Sequence, residues 1–386
     1  MNHDLFGFEI NVWADAAARL GLIVSLMTVV VMGLIYGERK VIARFQQRLG
    51  PTRTGPAGLL QSVADALKLV AKEDVRPKSA DPWVFELAPY FVFVPIFLMF
   101  VAVPFAFHWE IRVLELGIFY VLAVSSVNIV GWVMAGWGSD NRYAMLGALR
   151  AAAQAISYEL PLVMSLIAVG MVADSFNLTD IVRGQGQVPN IVWQPLPFFI
   201  FFVAMLAELN RTPFDIPVGE SEVVGGPFVE YSGIRWSMFF LAEYAALFIL
   251  ALLGAAIFLG GWAWPLGEEW GLPWQLALTA IKAGAIIFAI FWVRVTLPRL
   301  RIDQLMAFSW KVLLPISFVQ VLANGLVLVY EPPQHIADIL LAAISGAGLV
   351  LVVMIMNRSV GKPRPRPVLT NRAAAATPPA RSEAAR

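Results

Sequence analysis

The sequence has no cysteine. That excludes thiolate-held iron–sulfur clusters, disulfides and thiol chemistry within the chain. Histidine is nearly as rare. His3, His108 and His335 are the three present, and all lie outside the long apolar runs, so no pair can clamp a haem inside a bilayer. Charged residues make up only 14% of the 386, with a net charge of +1. Glycine-rich nucleotide loops, metal-ligand spacings and nucleophile–base arrangements are missing. A cleavable leader is not expected, because His3, Asp4, Glu9, Asp15 and Arg19 precede the first long apolar run.

What is present is hydrophobic: 59% of residues, with a mean hydropathy of +0.71. Apolar runs about 20 residues long recur, which is the mark of a polytopic helical membrane protein. The expected fold is all-α, a transmembrane bundle of about nine spans. They fall near residues 20–37, 84–107, 115–137, 150–173, 196–207, 237–262, 274–293, 309–330 and 336–356, the fifth being short. Residues 1–357 form the expected membrane domain. Residues 358–386, rich in proline, alanine and arginine, read as a disordered cytoplasmic tail.

The basic residues set the orientation. If the first span runs inward, all of the 28 lysines and arginines except Arg19, Arg112, Arg183 and Lys282 fall in inner loops, at their edges or in the tail. By the positive-inside rule the N-terminus is then outside and the C-terminus cytoplasmic.

One stretch, Glu208 to Glu222, concentrates acidic charge. Glu208, Asp215, Glu220 and Glu222 accompany Arg211 between two apolar segments, and Pro213 and Pro217 prevent a continuous helix. An ordered polar loop folded against the membrane domain is expected, within an acidic cytoplasmic loop over 208–235. Glu159 and Glu243 lie inside other spans at similar depth, where bare carboxylates are costly, and two such groups can share protons or water. Pro161 frees a carbonyl one turn back, which a polar cavity would satisfy. Lys282 either snorkels outward or has a functional role. Residues 57–73 predict an amphipathic helix, with Leu60, Val63, Leu67 and Val70 on one stripe and Gln61, Asp65, Lys68 and Lys72 on the other. Such a helix lies along a membrane surface and does not cross it.

Several motifs resemble a known family. They are Glu38-Arg39-Lys40 with Arg48-Leu-Gly-Pro51, Gly58-Leu-Leu-Gln61, Ala64-Asp65-Ala66-Leu67-Lys68, Leu149-Arg150 through Gln154 with Ser157-Tyr-Glu159, the stretch 208–222, Glu230-Tyr231-Ser232, and Arg301-Ile-Asp303-Gln304-Leu305. Together, over about residues 20–330, the chain resembles the H-type membrane subunit of bacterial NADH:quinone oxidoreductase (respiratory complex I), the counterpart of mitochondrial complex I subunit 1.

The resemblance implies a multi-pass subunit of the bacterial inner membrane that docks the hydrophilic redox arm and adjoins small membrane subunits, with lipid around it and no nucleic-acid partner. Quinone is then a substrate, while FMN and iron–sulfur clusters belong to partner subunits; no metal is implied here. It further implies that Arg39, Arg48, Asp65, Phe228 and Phe240 line the quinone path. Glu159, Glu208, Arg211, Asp215, Glu220, Glu222 and Glu243 would belong to an acidic funnel that couples quinone reduction to proton movement. Related chains usually carry a carboxylate where this one has Val218, which leaves that funnel one proton site short unless Glu220 takes over.

The membrane subunit of an energy-converting hydrogenase shares the scaffold and is the alternative. A stand-alone transporter is disfavoured by the lack of an internal repeat. A passive scaffold would leave Glu159 and Glu243 unexplained.

Overall fold

The computed structural model describes residues 3–5, 8–10, 12–107, 111–265, 267, 270–330 and 334–360. A short hairpin, β1 (His3–Leu5) against β2 (Phe8–Ile10), precedes helices throughout. In order these are α1 (Val12–Phe45), α2 (Gln61–Ala71), α3 (Pro82–Met99), α4 (Gly117–Gly138), α5 (Arg142–Val172), α6 (Leu178–Gly184), α7 (Asn190–Trp193) and α8 (Pro195–Glu208). They continue with α9 (Glu220–Val223), α10 (Gly233–Leu259), α11 (Leu272–Thr296), α12 (Ile302–Phe308), a π-helical turn (Ser309–Leu313), α13 (Leu314–Val329) and α14 (Gln334–Val360). The chain divides into two units, Met1–Leu349 and Val350–Arg386. Most of the expected tail, 361–386, lies outside the described residues.

Seven of these helices, counting Ile302–Val329 as one, are long and apolar enough to cross a membrane. They correspond to seven of the expected spans. The other two fall on α8 and α1. With 14 residues, α8 is about 21 Å long, short of a hydrocarbon core of about 30 Å. In α1 the apolar run is embedded in a helix of 34 residues that ends in charge. Helix starts also differ from expectation. Asn141 accepts from the Tyr143 amide at 2.9 Å, a side-chain cap that starts α5 at Arg142, so most of the expected loop 138–150 is helical.

Small residues let the helices approach closely. A Cβ on Gly131 of α4 would lie 2.5 Å from the Val92 side chain of α3, one on Gly138 would lie 2.8 Å from the Phe85 amide nitrogen, and one on Gly136 would meet Ala148 of α5 at 2.3 Å. The most enclosed span is α10, whose face from Ala242 to Phe258 is almost wholly buried. Its C-terminal end must satisfy carbonyls without water. Gln185 Nε2 donates to Ala256 O at 3.0 Å, and Asn190 Nδ2 to Ile257 O at 2.9 Å. Lys282 Nζ of α11 donates to the carbonyls of Leu259, Gly261 and Trp264 at 2.6, 2.7 and 2.5 Å. Lys282 is 8% exposed. It does not snorkel outward; it caps a helix, where a cation also complements the dipole.

Candidate functional site

The stretch after α8 is irregular and largely enclosed, with Leu209, Arg211, Phe214 and Ile216 all buried. Gln154 of α5 stitches it in place. Its Nε2 lies 2.8 Å from Ala207 O, 2.8 Å from Phe214 O and 3.1 Å from Asn210 Oδ1. Leu300 donates its amide to Pro213 O at 3.1 Å, and Arg299 donates to the Asp215 carbonyl. Gly226, at φ +60, sits where a Cβ would fall 2.0 Å from Pro217 O, and Gly147 of α5 abuts Gly226. The loop therefore seats directly against α5, backbone to backbone.

Arg211 is the hub of a buried charge cluster. Its Nη1 lies 3.0 Å from Glu38 Oε1 of α1, and its Nη2 3.0 Å from Glu243 Oε1 of α10. Its guanidinium carbon stands 4.6 Å from the centroid of the Tyr244 ring. Arg294 of α11 also pairs with Glu38. Two arginines thus balance two carboxylates, the compensation that a low-dielectric site requires. Burial pushes the Arg211 guanidinium down, but the Glu243 charge, with Tyr244 and Asp215, outweighs it and holds it above its ordinary value.

Glu159 and Glu208 form a second group. Ser126 of α4 donates to the Glu159 carboxylate, and its hydroxyl is also 3.0 Å from Leu122 O. A hydroxyl has one hydrogen. It serves the carboxylate when Glu159 is ionised; when Glu159 is protonated, Ser126 can accept from it and turn its own hydrogen to Leu122. Glu208 Oε2 is buried without a partner, as is Asn128 Oδ1 of α4. Both residues line two cavities. Both cavities are small; one is bounded also by Ser125, Leu162 and Leu250, the other by Trp132, Ala155 and Asn210. The walls are mostly apolar, so the two unpartnered oxygens are the groups that an ordered water there would bridge. Among the described residues no group of histidine and carboxylate side chains could hold a metal ion.

The remaining expected site residues are dispersed. Arg39 Nη1 pairs with Asp65 Oδ2 of α2 at 2.6 Å, and Gln61 Nε2 donates to Asp65 Oδ1 at 3.1 Å. Burial pushes the Asp65 carboxyl up, but Arg39, Gln61 and Lys68 outweigh it and hold it below the usual carboxylate value. Arg48 is exposed and donates to Gln46 at 2.8 Å, so it is not gathered with the pair. Phe240 bridges Trp236 and Tyr244, with ring centroids at 5.1 and 4.9 Å, which puts it beside the Arg211 cluster. Phe228 packs between Trp132 and Phe239. Glu222 meets Arg150 at 2.6 Å, half exposed. Glu220 begins α9, and its side chain lies outside the described residues. Glu159 and Glu243, paired in the sequence by depth alone, have different partners here: one a serine, the other an arginine.

The expected amphipathic helix is shorter than 57–73, with its regular part at 61–71. The apolar stripe Leu60, Val63, Leu67 and Val70 is exposed. At its other end, Arg235 of α10 reaches Asp74 at 3.1 Å and Glu86 at 2.8 Å, and Ser232 Oγ accepts from the Val75 amide at 3.0 Å.

Glu38, Arg294, Ser126 and Asn128 are not among the expected site residues, although Glu38 stands in one of the motifs. A charge at the end of an apolar run, like Glu38 or Arg294, looks like one that reaches for water. The available signal was that each stands towards the C-terminal end of its helix, with opposite sign.

A family model described as NADH dehydrogenase matches residues 18–325. The chain is 44% identical over 346 residues to the NADH-quinone oxidoreductase H subunit of Dehalococcoides mccartyi (strain CBDB1), a match that covers 90% of this chain and 96% of that protein. It is 48% identical over 325 residues to the H subunit of Geobacillus kaustophilus (strain HTA426), covering 82% and 95%. With the H subunit of Brevibacillus brevis the identity is 46% over 310 residues, covering 79% and 92%.

Proposed function

The chain belongs to the NADH dehydrogenase family, alongside the H subunits of bacterial NADH-quinone oxidoreductases, and on that premise we propose that it builds the quinone access path and couples quinone reduction to proton movement. It works as one subunit of a membrane enzyme complex; with no cysteine, it leaves hydride transfer, FMN and iron–sulfur clusters to partner subunits. Quinone arrives from the lipid between α1, α2 and α10, past Arg39 and Asp65, towards the Phe240 side of the Arg211 cluster. The N-terminus is outside, the C-terminus cytoplasmic, and α2 lies along the cytoplasmic membrane surface, where the hydrophilic quinone-module subunits dock.

The observation that carries this reading is Glu208. Its carboxyl ends α8 with one oxygen buried and unpartnered between two cavities, next to the charge of Glu159. Three residues further on, Arg211 joins Glu38 and Glu243. A negative quinone species near the Arg211 cluster would draw protons onto these carboxylates as one coupled titration. Water in the cavities would carry protons past Asn128 and Glu208. Glu220 and Glu222 act at the rim, with Asp215 bearing on Arg211.

The test is the tagged, intact complex in mild detergent and then in vesicles. Inhibitor-sensitive NADH:quinone reduction without hydrogen evolution is expected. Glu208→Gln should assemble yet move fewer protons per NADH oxidised; a normal proton-to-electron ratio in that variant removes Glu208 from the coupling path.

A further inference from the structure

Pro161 carries no amide hydrogen, so the Ser157 carbonyl, four residues back on α5, loses its helical partner. The helix nevertheless runs unbroken from Arg142 to Val172. The partner is Ser309, whose Oγ donates to Ser157 O at 2.5 Å, both residues being buried. No polar cavity is needed there; a hydroxyl from another helix takes the place that the sequence reading gave to one.

Ser309 opens the π-helical turn Ser309–Leu313, which sits just ahead of Pro315. Such turns are rare, widen a helix by one residue and often mark sites where side-chain direction matters. Here the turn aims two consecutive side chains at α5. Trp310 Nε1 donates to Ser157 Oγ at 3.1 Å, and Ser157 Oγ donates on to Ala153 O at 2.6 Å. One turn earlier, Tyr158 OH donates to Leu305 O at 3.0 Å. The segment of α5 that proline weakens is thus held from one side by residues 305–310.

Glu159 stands two positions after Ser157, about 200° around the helix. It faces the other way, to Ser126 of α4. We infer that Ser309 is a positioning residue for Glu159: by closing the carbonyl that Pro161 leaves open, it fixes the turn that presents Glu159 to Ser126. A proline turn without that bond has an unsatisfied buried carbonyl and two ways to relieve it, bending α5 or admitting water. Either would move Glu159 relative to α4. The inference rests on the proposed coupling role of Glu159.

The test is a mutant cycle at Ser309 and Pro161 in the assembled complex in vesicles, read as protons moved per NADH oxidised. Ser309→Ala should lower that ratio by roughly twofold or more, while Ser309→Thr, which keeps the hydroxyl, should not. In Pro161→Ala the new amide supplies the missing donor, so Ser309→Ala added to it should have no further effect. This comparison within the Pro161→Ala background holds even where Ser309→Ala alone fails to assemble. A normal ratio in Ser309→Ala, or a loss that Pro161→Ala does not relieve, overturns the inference. Glu159→Gln measured alongside separates the two claims. A normal ratio there removes the role of Glu159 itself, and with it what Ser309 positions. An impaired Glu159→Gln with a normal Ser309→Ala removes only the role of Ser309.

Discussion

Arg211 Nη1 lies 3.0 Å from Glu38 Oε1, which ties the loop after α8 to the helix that also carries Arg39. The same guanidinium reaches Glu243 of α10 through its other arm. One side chain therefore joins the loop, α1 and α10, the elements between which quinone is proposed to pass.

Replacing Arg211 by methionine should leave Glu38 with Arg294 alone and take from Glu243 its ion pair with Arg211. Breaking a buried pair by removing one partner costs about 3–5 kcal/mol, and Arg211 and Glu38 are both almost fully enclosed. The expected result is a complex that loses this subunit on mild heating or fails to assemble on a native gel. Glu243→Gln should behave differently, because it removes one charge and strands no buried carboxylate, while Glu38 keeps its ion pairs with Arg211 and Arg294. That variant should assemble and pump poorly. A Glu243→Gln complex with wild-type pumping would remove Glu243 from the coupling path.

The Arg39–Asp65 pair should be insensitive to pH across the working range. The ordinary Asp65 value is 3.8, and the folded value lies below it. A depressed carboxyl contributes stability that is present above its unfolded value and is lost only as pH falls through the lower, folded one. Both side chains are partly exposed, so the stabilisation is small. The KM for quinone should be free of any Asp65 step between about pH 5 and 8. Asp65→Asn should raise that KM by the same factor throughout, whereas a factor that changes with pH in this window would contradict the assignment.

Lys282→Met should destabilise the complex without touching the chemistry. It keeps most of the apolar stem but leaves the carbonyls of Leu259, Gly261 and Trp264, at and just beyond the end of α10, without this donor; a buried carbonyl left unsatisfied costs about 1–3 kcal/mol. The measurement is residual NADH:quinone activity after stepped heating. The variant should lose activity at lower temperature, with its initial proton-to-electron ratio unchanged. A changed ratio with unchanged heat stability would point instead to a role for Lys282 in proton transfer.

The legibility of this chain in its sequence follows from where the signal is local. Apolar runs report helices one at a time, and the positions of α3, α4, α5, α10, α11, α13 and α14 follow from them. Prolines at 213 and 217 likewise report that no helix links α8 to α9. Partners are not local. Glu38 and Arg294 lie 256 residues apart in sequence, and nothing in either neighbourhood says that one faces the other. Glu159 and Glu243 share depth but not neighbours, which is why pairing them by depth does not match the structure. Ser309 is the clearest case, because a serine near a proline-marked helix start looks ordinary until the open carbonyl opposite it is seen.

The last prediction concerns backbone contact. Gly147 lies where a Cβ would come within 2.5 Å of Gly226 Cα and 3.0 Å of Pro217 O. Neither neighbour is the end of a flexible side chain, so alanine at 147 must push the 217–226 segment off α5. That segment carries Glu220 and Glu222, and it follows directly from the Arg211 cluster. Overpacking of this kind costs about 1–3 kcal/mol, less than the loss of Arg211, so the complex should still assemble. Gly147→Ala should nevertheless lower NADH:quinone turnover and weaken pumping together, because the loop loses its seat as a unit. Gly184, beside which nothing lies within 4 Å, is the control: Gly184→Ala on the short helix α6 should leave both measurements unchanged. Equal behaviour of the two variants would show that the close approach of α5 to the loop has no bearing on function.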